Sequence, residues 1–210
     1  MVDAIERRKR RYVSPARAAA AAEKRERVLE AATLLLREVD GIASFTLDAV
    51  AKAAGVTRLT VYHQFGSRRL LIESIFDRLA RRGGLLDIGH AIAKDDPYDA
   101  IRDIVRIFCR FWGSEPAVQR LNDAAALDPE IEQSLAERHE RRRQLLLTTV
   151  DRIAPKASAK RKQETIDFIY ALTAPQMFRS LSSGRSTKRT CDLITEASLE
   201  AIGRLTRQEN

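Results

Sequence analysis

A chain of 210 residues, 44% apolar and 31% charged, is long enough to bury a substantial core in one or two domains. No stretch approaches the roughly 20 apolar residues of a membrane span, and the N-terminus lacks the apolar core of a signal peptide, so a cytoplasmic location is expected. The net charge of +8 is uneven: residues 1–82 hold 17 Lys/Arg against 10 Asp/Glu and residues 83–210 hold 20 against 19, which puts the positive potential on the N-terminal part, as a polyanion-binding domain requires.

Residues 1–14 carry the run Arg7-Arg-Lys-Arg-Arg11 and little that could pack. They read as a basic arm, disordered when free. Such an arm either follows a DNA groove and adds salt-sensitive affinity or is a solvated tail. Ser14-Pro15 is a cap followed by a first-turn proline. With the Ala-rich stretch after it, this predicts a helix from Pro15 to about Arg37, ending before Asp40-Gly41.

Residues 46 to 70 read as two short helices, a tight turn and the start of a third helix. Thr46 is placed to cap the first, whose apolar positions are Leu47, Val50, Ala51 and Ala54. Ala51 is small where the second helix would cross. Gly55 sits where the turn wants a positive φ. Val56 and Val61 plug the gap, Thr57 caps the second helix, Phe65 returns to the core, and Ser67 caps the third. An ordinary helical hairpin with a polar face would share part of this pattern. Two helices fixed around a small turn also suit the major groove of DNA. The outward residues are then Thr57, Arg58, Thr60, Tyr62 and His63. Arg58, Thr60 and Tyr62 are expected to carry most recognition, with Thr46, Thr57, His63 and Arg68 on phosphates. Arg68 and Arg69 stand at a helix N-terminus, where the dipole disfavours cations, so a phosphate is the expected partner.

Three pieces carry a family likeness: Arg27-Val-Leu-Glu-Ala-Ala, Phe45-Thr-Leu-Asp-Ala-Val-Ala-Lys-Ala-Ala-Gly-Val, and Val61-Tyr-His-Gln-Phe-Gly-Ser-Arg-Arg-Leu-Leu. Together they resemble the TetR family of bacterial transcriptional regulators, over about residues 24 to 78. The resemblance implies an all-α homodimer. An N-terminal helix-turn-helix DNA-binding domain (15–66) would be joined to a C-terminal helical domain (67–210) that dimerises and often binds a small effector. Two departures stand out. Arg68-Arg69 replaces the Lys-Glu often seen after Gly-Ser, and Leu59 is bulkier than the small residue common there, so that it either alters base readout or packs.

Beyond residue 66 the chain alternates helical patterns with short breaks. Ser67 to about Arg82 is a connecting helix stopped by Gly83-Gly84. Asp96-Pro97 opens a helix with Ile101, Ile104, Val105, Phe108, Phe111 and Trp112 on one side, broken by Gly113 to Pro116. A short helix follows over 117–126. Asp128-Pro129 opens another, ended by Pro155, whose Arg138, Arg141, Arg142 and Arg143 read as a solvated stripe. One helix is expected from Ser158 to about Ser182, with Pro175 kinking it, and a last one from Ser186 to about Arg207. The last is apolar over more than one face and must bury that surface against something. A four-helix bundle built from two helices of each subunit would do so, and would present two recognition helices to a palindromic operator in double-stranded DNA.

An effector pocket is expected among Phe108, Phe111, Trp112, Tyr170, Met177 and Phe178, though aromatic stripes at helical spacing also simply fill cores. With Arg102, Arg106, Arg110 and Arg120 nearby in sequence, an anionic or amphipathic effector fits. Cys109 and Cys191 make no disulfide or metal spacing and read as small apolar residues. His63, His90 and His139 do not cluster, and no nucleophile motif or phosphate loop is present, so neither an enzyme nor a cofactor is expected. The function expected is therefore a sequence-specific regulator, a repressor released by a small molecule. The alternative is an architectural or protein-regulated DNA-binding protein on the same scaffold.

Overall fold

The structure, a computed structural model, describes residues 15–38 and 42–207. The basic arm and the Asp40-Gly41 stop lie outside the described residues. Among those described there is no strand, and no helix is long and apolar enough to cross a membrane.

The described residues form eleven helices in chain order: α1 (Pro15–Glu38), α2 (Leu47–Ala53), α3 (Arg58–Phe65), α4 (Arg68–Arg82), α5 (Ile88–Ile92), α6 (Pro97–Ser114), α7 (Pro116–Ala125), α8 (Pro129–Ile153), α9 (Ala159–Leu172), α10 (Pro175–Ser182) and α11 (Thr187–Arg207). Short 3-10 turns precede α2 and α5. The N-terminal unit packs α1 to α3 around Val28, Ala32, Phe45, Val50, Val61 and Phe65, all buried. Its core runs on through Leu71, Ile72 and Ile75 of α4 into the C-terminal helices. There α6 lies innermost, burying Ile101, Ile104, Val105, Phe108, Phe111 and Trp112 against α5, α8 and α11.

Side-chain caps fix most of the helix starts. Asp96 accepts from the Tyr98 N–H, and Asp128 from those of Glu130 and Ile131. Each is followed by a first-turn proline whose missing N–H costs nothing there. Gly83 ends α4 where a Cβ would stand 2.5 Å from the Phe111 ring, so its lack of a side chain lets α4 close on α6.

Three expectations are corrected. α6 runs through Gly113 to Ser114, and the break falls at Glu115, the N-cap of α7. Pro175 does not kink one long helix. It separates α9 from α10, because Ala174 before it takes an extended conformation (ψ 150°), as a residue preceding proline tends to. The arginines of α8 do not form one solvated stripe: Arg141 is exposed, but Arg142 is buried, at 5% exposure, and Arg138 lies over the Phe76 ring, 4.6 Å from its centroid.

Candidate nucleic-acid interface and internal cavity

The turn between α2 and α3 is built as its sequence suggests. The Thr46 hydroxyl accepts from the Ala49 N–H at 3.1 Å and that of Thr57 from the Thr60 N–H at 3.2 Å. Gly55 takes φ 65°. A Cβ there would meet nothing within 4 Å, so the glycine serves the backbone conformation rather than close packing. Ala51 is buried, and its carbonyl accepts from the Val56 N–H at 3.0 Å, which locks the two helices together.

α3 therefore buries Val61 and Phe65 and presents Thr57, Arg58, Leu59, Tyr62 and His63 to solvent, with Thr60 half-buried. Thr46 is exposed beside them at the start of α2. The Thr57 and Thr60 hydroxyls are hydrogen-bonded to each other at 2.9 Å. Arg58 pairs with Asp48 of α2 at 3.2 Å, both about two-thirds exposed; such a pair contributes little and is easily exchanged for a base or phosphate. Leu59 does not pack: it is 60% exposed, an apolar side chain on the same face able to meet a thymine methyl.

Arg68 is the exception. Its Nε donates to the Phe45 carbonyl at 2.8 Å, Nη2 to the Ile42 carbonyl at 3.3 Å and to Asp128 at 2.8 Å, and Nη1 to Glu130 at 2.8 Å. The phosphate expected at this helix N-terminus is replaced by acids at another: Asp128 and Glu130 stand where the dipole of α8 favours negative charge. Arg68 thus joins the helix-turn-helix to α8. Arg37 of α1 does the same at α7, donating to Glu115 through Nε at 2.8 Å and through Nη2. The two arginines hold the Asp128 and Glu115 carboxyls below the usual carboxylate range.

Between α4, α6 and α8 lies a cavity of about 310 Å³, walled mainly by Phe76, Ala80, Leu85, Ile88, Phe108, Trp112 and Leu145, with Asp77, Asn122, Arg138, His139, Arg141 and Arg142 also facing it. Of the expected pocket residues the structure brings only Phe108 and Trp112 to this wall. Phe111 is core, edge-on to Phe76 and tilted against Trp112. Phe178 is buried in α10 and Met177 packs against the core beside it. Tyr170 lies behind Arg142, whose guanidinium sits 3.8 Å from its ring centroid. Arg102, Arg106 and Arg110 pair on the exterior with Asp99, Asp103 and Asp87. The positive charge near the cavity comes from α8 instead. Helical phase could have found it: Arg142 shares the stripe of Leu135, Leu146 and Thr149, all buried.

On α11 the buried stripe Thr190, Ile194, Ser198 and Ile202 faces the core. The neighbouring stripe Leu193, Ala197 and Ala201 is only half-covered, and Phe168 on adjacent α9 is 51% exposed. Cys109 of α6 and Cys191 of α11, far apart in sequence, meet: hydrogen bonding to the Cys191 sulfur and burial raise the Cys109 thiol pKa.

Comparison with known proteins agrees with this geometry. Residues 28–75 match the model of the tetR family of bacterial regulatory proteins. The chain is 34% identical over 105 residues to the HTH-type transcriptional regulator EthR of Mycolicibacterium smegmatis, covering 48% of this chain and 47% of that protein. It is 46% identical over 67 residues to the HTH-type transcriptional regulator AlkX of Mycobacterium tuberculosis, covering 32% and 30%. The chain thus matches less than half the length of either relative. Among solved structures, a Rhodococcus protein assigned to the TetR family superposes with a TM-score of 0.66 at 19% identity, over 87% of this chain and 98% of that one. NalD of Pseudomonas aeruginosa, the secondary repressor of the MexAB-OprM multidrug efflux pump, superposes at 0.61 and 19%, over 88% and 96%. At these identities the likeness concerns the fold, an all-α architecture with an N-terminal helix-turn-helix and a helical C-terminal domain.

Proposed function

We propose that this chain, whose residues 28–75 match the tetR-family model, is a cytoplasmic transcriptional repressor that binds a palindromic operator as a homodimer and leaves it when a small molecule enters the C-terminal cavity. The observation that carries the reading is the face of α3: Thr57, Arg58, Leu59, Tyr62 and His63 stand exposed on a helix held rigidly by buried Val61 and Phe65. Arg58, Thr60 and Tyr62 are assigned to base edges and Thr46, Thr57 and His63 to phosphates, with Leu59 added as an apolar contact. Arg68 is withdrawn from the interface, its donors being engaged within the chain.

In this reading residues 15–66 bind DNA and 67–210 sense and dimerise. The half-covered stripe of α11, together with Phe168, supplies the apolar surface on which two copies would meet. The cavity is coupled to the DNA-binding unit because α4 contributes to both: Phe76, Asp77 and Ala80 face the cavity, and the same helix packs against α1 and α3. A ligand shifts the dimer only if it binds the two arrangements with different affinity.

The test is selection of bound duplexes from a random DNA library by the purified protein at near-physiological salt. A palindrome is expected. Binding with no enriched motif would sink sequence-specific regulation in favour of architectural binding. Repeating the selection with Arg58→Ala should relax one base step, a loss of roughly 1–3 kcal/mol; a uniform loss would make Arg58 a phosphate contact.

A further inference from the structure

We propose that the cavity between α4, α6 and α8 takes an organic anion, a carboxylate or sulfonate head on an apolar body, with the head held by Arg142. This rests on the effector reading above and adds the chemical class of the occupant.

Arg142 is a buried cation with no acid of its own among the described residues. Nη1 donates to the Thr173 carbonyl at 3.0 Å and Nη2 to the Tyr170 carbonyl at 3.1 Å. The guanidinium is flanked by the rings of Tyr170 and Phe108, at 3.8 and 5.2 Å. Its Nε–H has no acceptor among the described residues. Carbonyl dipoles and ring faces offset only part of the cost of burying a charge. The arginines around it differ: Arg138 pairs with Asp77, Arg141 with Glu137 and Arg143 with Asp167. Burial pushes the Arg142 guanidinium down to about 10, so it remains charged at neutral pH. The site carries a standing positive charge and a buried, unpaired donor next to apolar walls.

Those features sort the possible occupants. A cation would meet Arg138, Arg141 and Arg142 together, with Asp77 already committed. A neutral apolar molecule would match the walls but leave the Nε–H unpaired. Inorganic phosphate would satisfy the guanidinium and waste Phe76, Phe108 and Leu145. An anion with an apolar body answers both. It also offers Arg138 a second anionic partner, in competition with Asp77 of α4, and so acts on the contact that ties α8 to the helix below the DNA-binding unit.

The chain's single tryptophan, Trp112, lies in the cavity wall and hydrogen-bonds to the same Thr173 carbonyl that accepts from Arg142, at 2.9 Å. Its fluorescence therefore reports occupancy without DNA. The full-length protein is titrated with octanoate, octanol and octyltrimethylammonium. Octanoate should bind roughly tenfold or more tightly than octanol, as a charge-assisted hydrogen bond implies, and the ammonium should give no saturable change. Arg142→Gln should bring octanoate down to the level of octanol, and Ala80→Phe, which fills the cavity, should abolish both signals. If Arg142→Gln does not fold, the head-group ranking on the unaltered protein still decides. Octanol binding as tightly as octanoate overturns the proposal, as does no octanoate signal at millimolar concentration or an octanoate signal that survives Ala80→Phe. A protein that selects a palindrome yet prefers octanol remains a regulator without an anionic effector. One that binds octanoate but selects no DNA site keeps the cavity and loses the regulator reading.

Discussion

Arg142 and His139 lie one helical turn apart on α8, and the fold treats them alike by holding both in surroundings hostile to positive charge. Burial, then the charges of Arg142 and Arg143, lower the His139 pKa from its ordinary value of 6.5. The imidazole is therefore neutral at pH 7, and on acidification the unfolded chain takes up its proton first. Stability from this group is full above the ordinary value and is lost as pH falls through the depressed one. His139→Gln removes that dependence, so its melting temperature should fall less than that of the parent between pH 7 and pH 5, followed by circular dichroism. Parallel falls would mean that His139 titrates no differently when folded. At this scale the sequence was legible where a residue's role is local. The caps Thr46, Thr57 and Ser67 and the positive φ of Gly55 follow from neighbours within a few positions. The fate of an arginine does not. Arg102 and Arg142 have similar near neighbours, yet one is half-buried beside Asp99 and the other is buried with no acid among the described residues; only the phase of the whole helix separates them.

Among the elements, the Asp-Pro starts of α6 and α8 were readable, since a side-chain acceptor followed by a residue lacking an N–H suits no other local structure so well. The start of α7 was read a residue late because its cap is Glu115, a less usual capping residue that also holds Arg37. The break at Pro175 was read as a kink because apolar spacing continues across it; the geometry imposed on Ala174 outweighs the periodicity. The 3-10 turn and α5 between Gly84 and Asp95 went unseen, being too short for a period to show. Asp128 serves two ends, capping α8 and binding Arg68. Asp128→Ala should lower the unfolding free energy by about 1–2 kcal/mol, and Asp128→Asn by less, because an amide oxygen still caps. Urea unfolding at pH 7 measures both. Equal losses would place the stabilisation in the charge pair with Arg68 and not in the cap.

For the whole molecule, the helix-turn-helix was legible because its contacts are close in sequence. The cavity was not, because its walls come from residues 76 to 145; four of the six expected lining residues lie elsewhere. The proposed dimer is a third level of assembly, and the half-covered stripe of α11 gives it a test. Ala197→Arg with Ala201→Arg should convert a sedimenting dimer into a monomer, leave helical content unchanged and weaken operator binding. A variant that still sediments as a dimer would move the interface away from α11. The two arginines that tie the DNA-binding unit to the body, Arg37 from within it to Glu115 and Arg68 from the start of α4 to Asp128, bear on how such proteins exchange parts. A foreign reading head spliced in front of residue 67 would inherit Arg68 from the host but would have to bring its own equivalent of Arg37, or face Glu115 with nothing to grip. The seam has a key on each side of the splice, and on the proposed reading only heads that carry theirs would transmit the state of the body they are joined to.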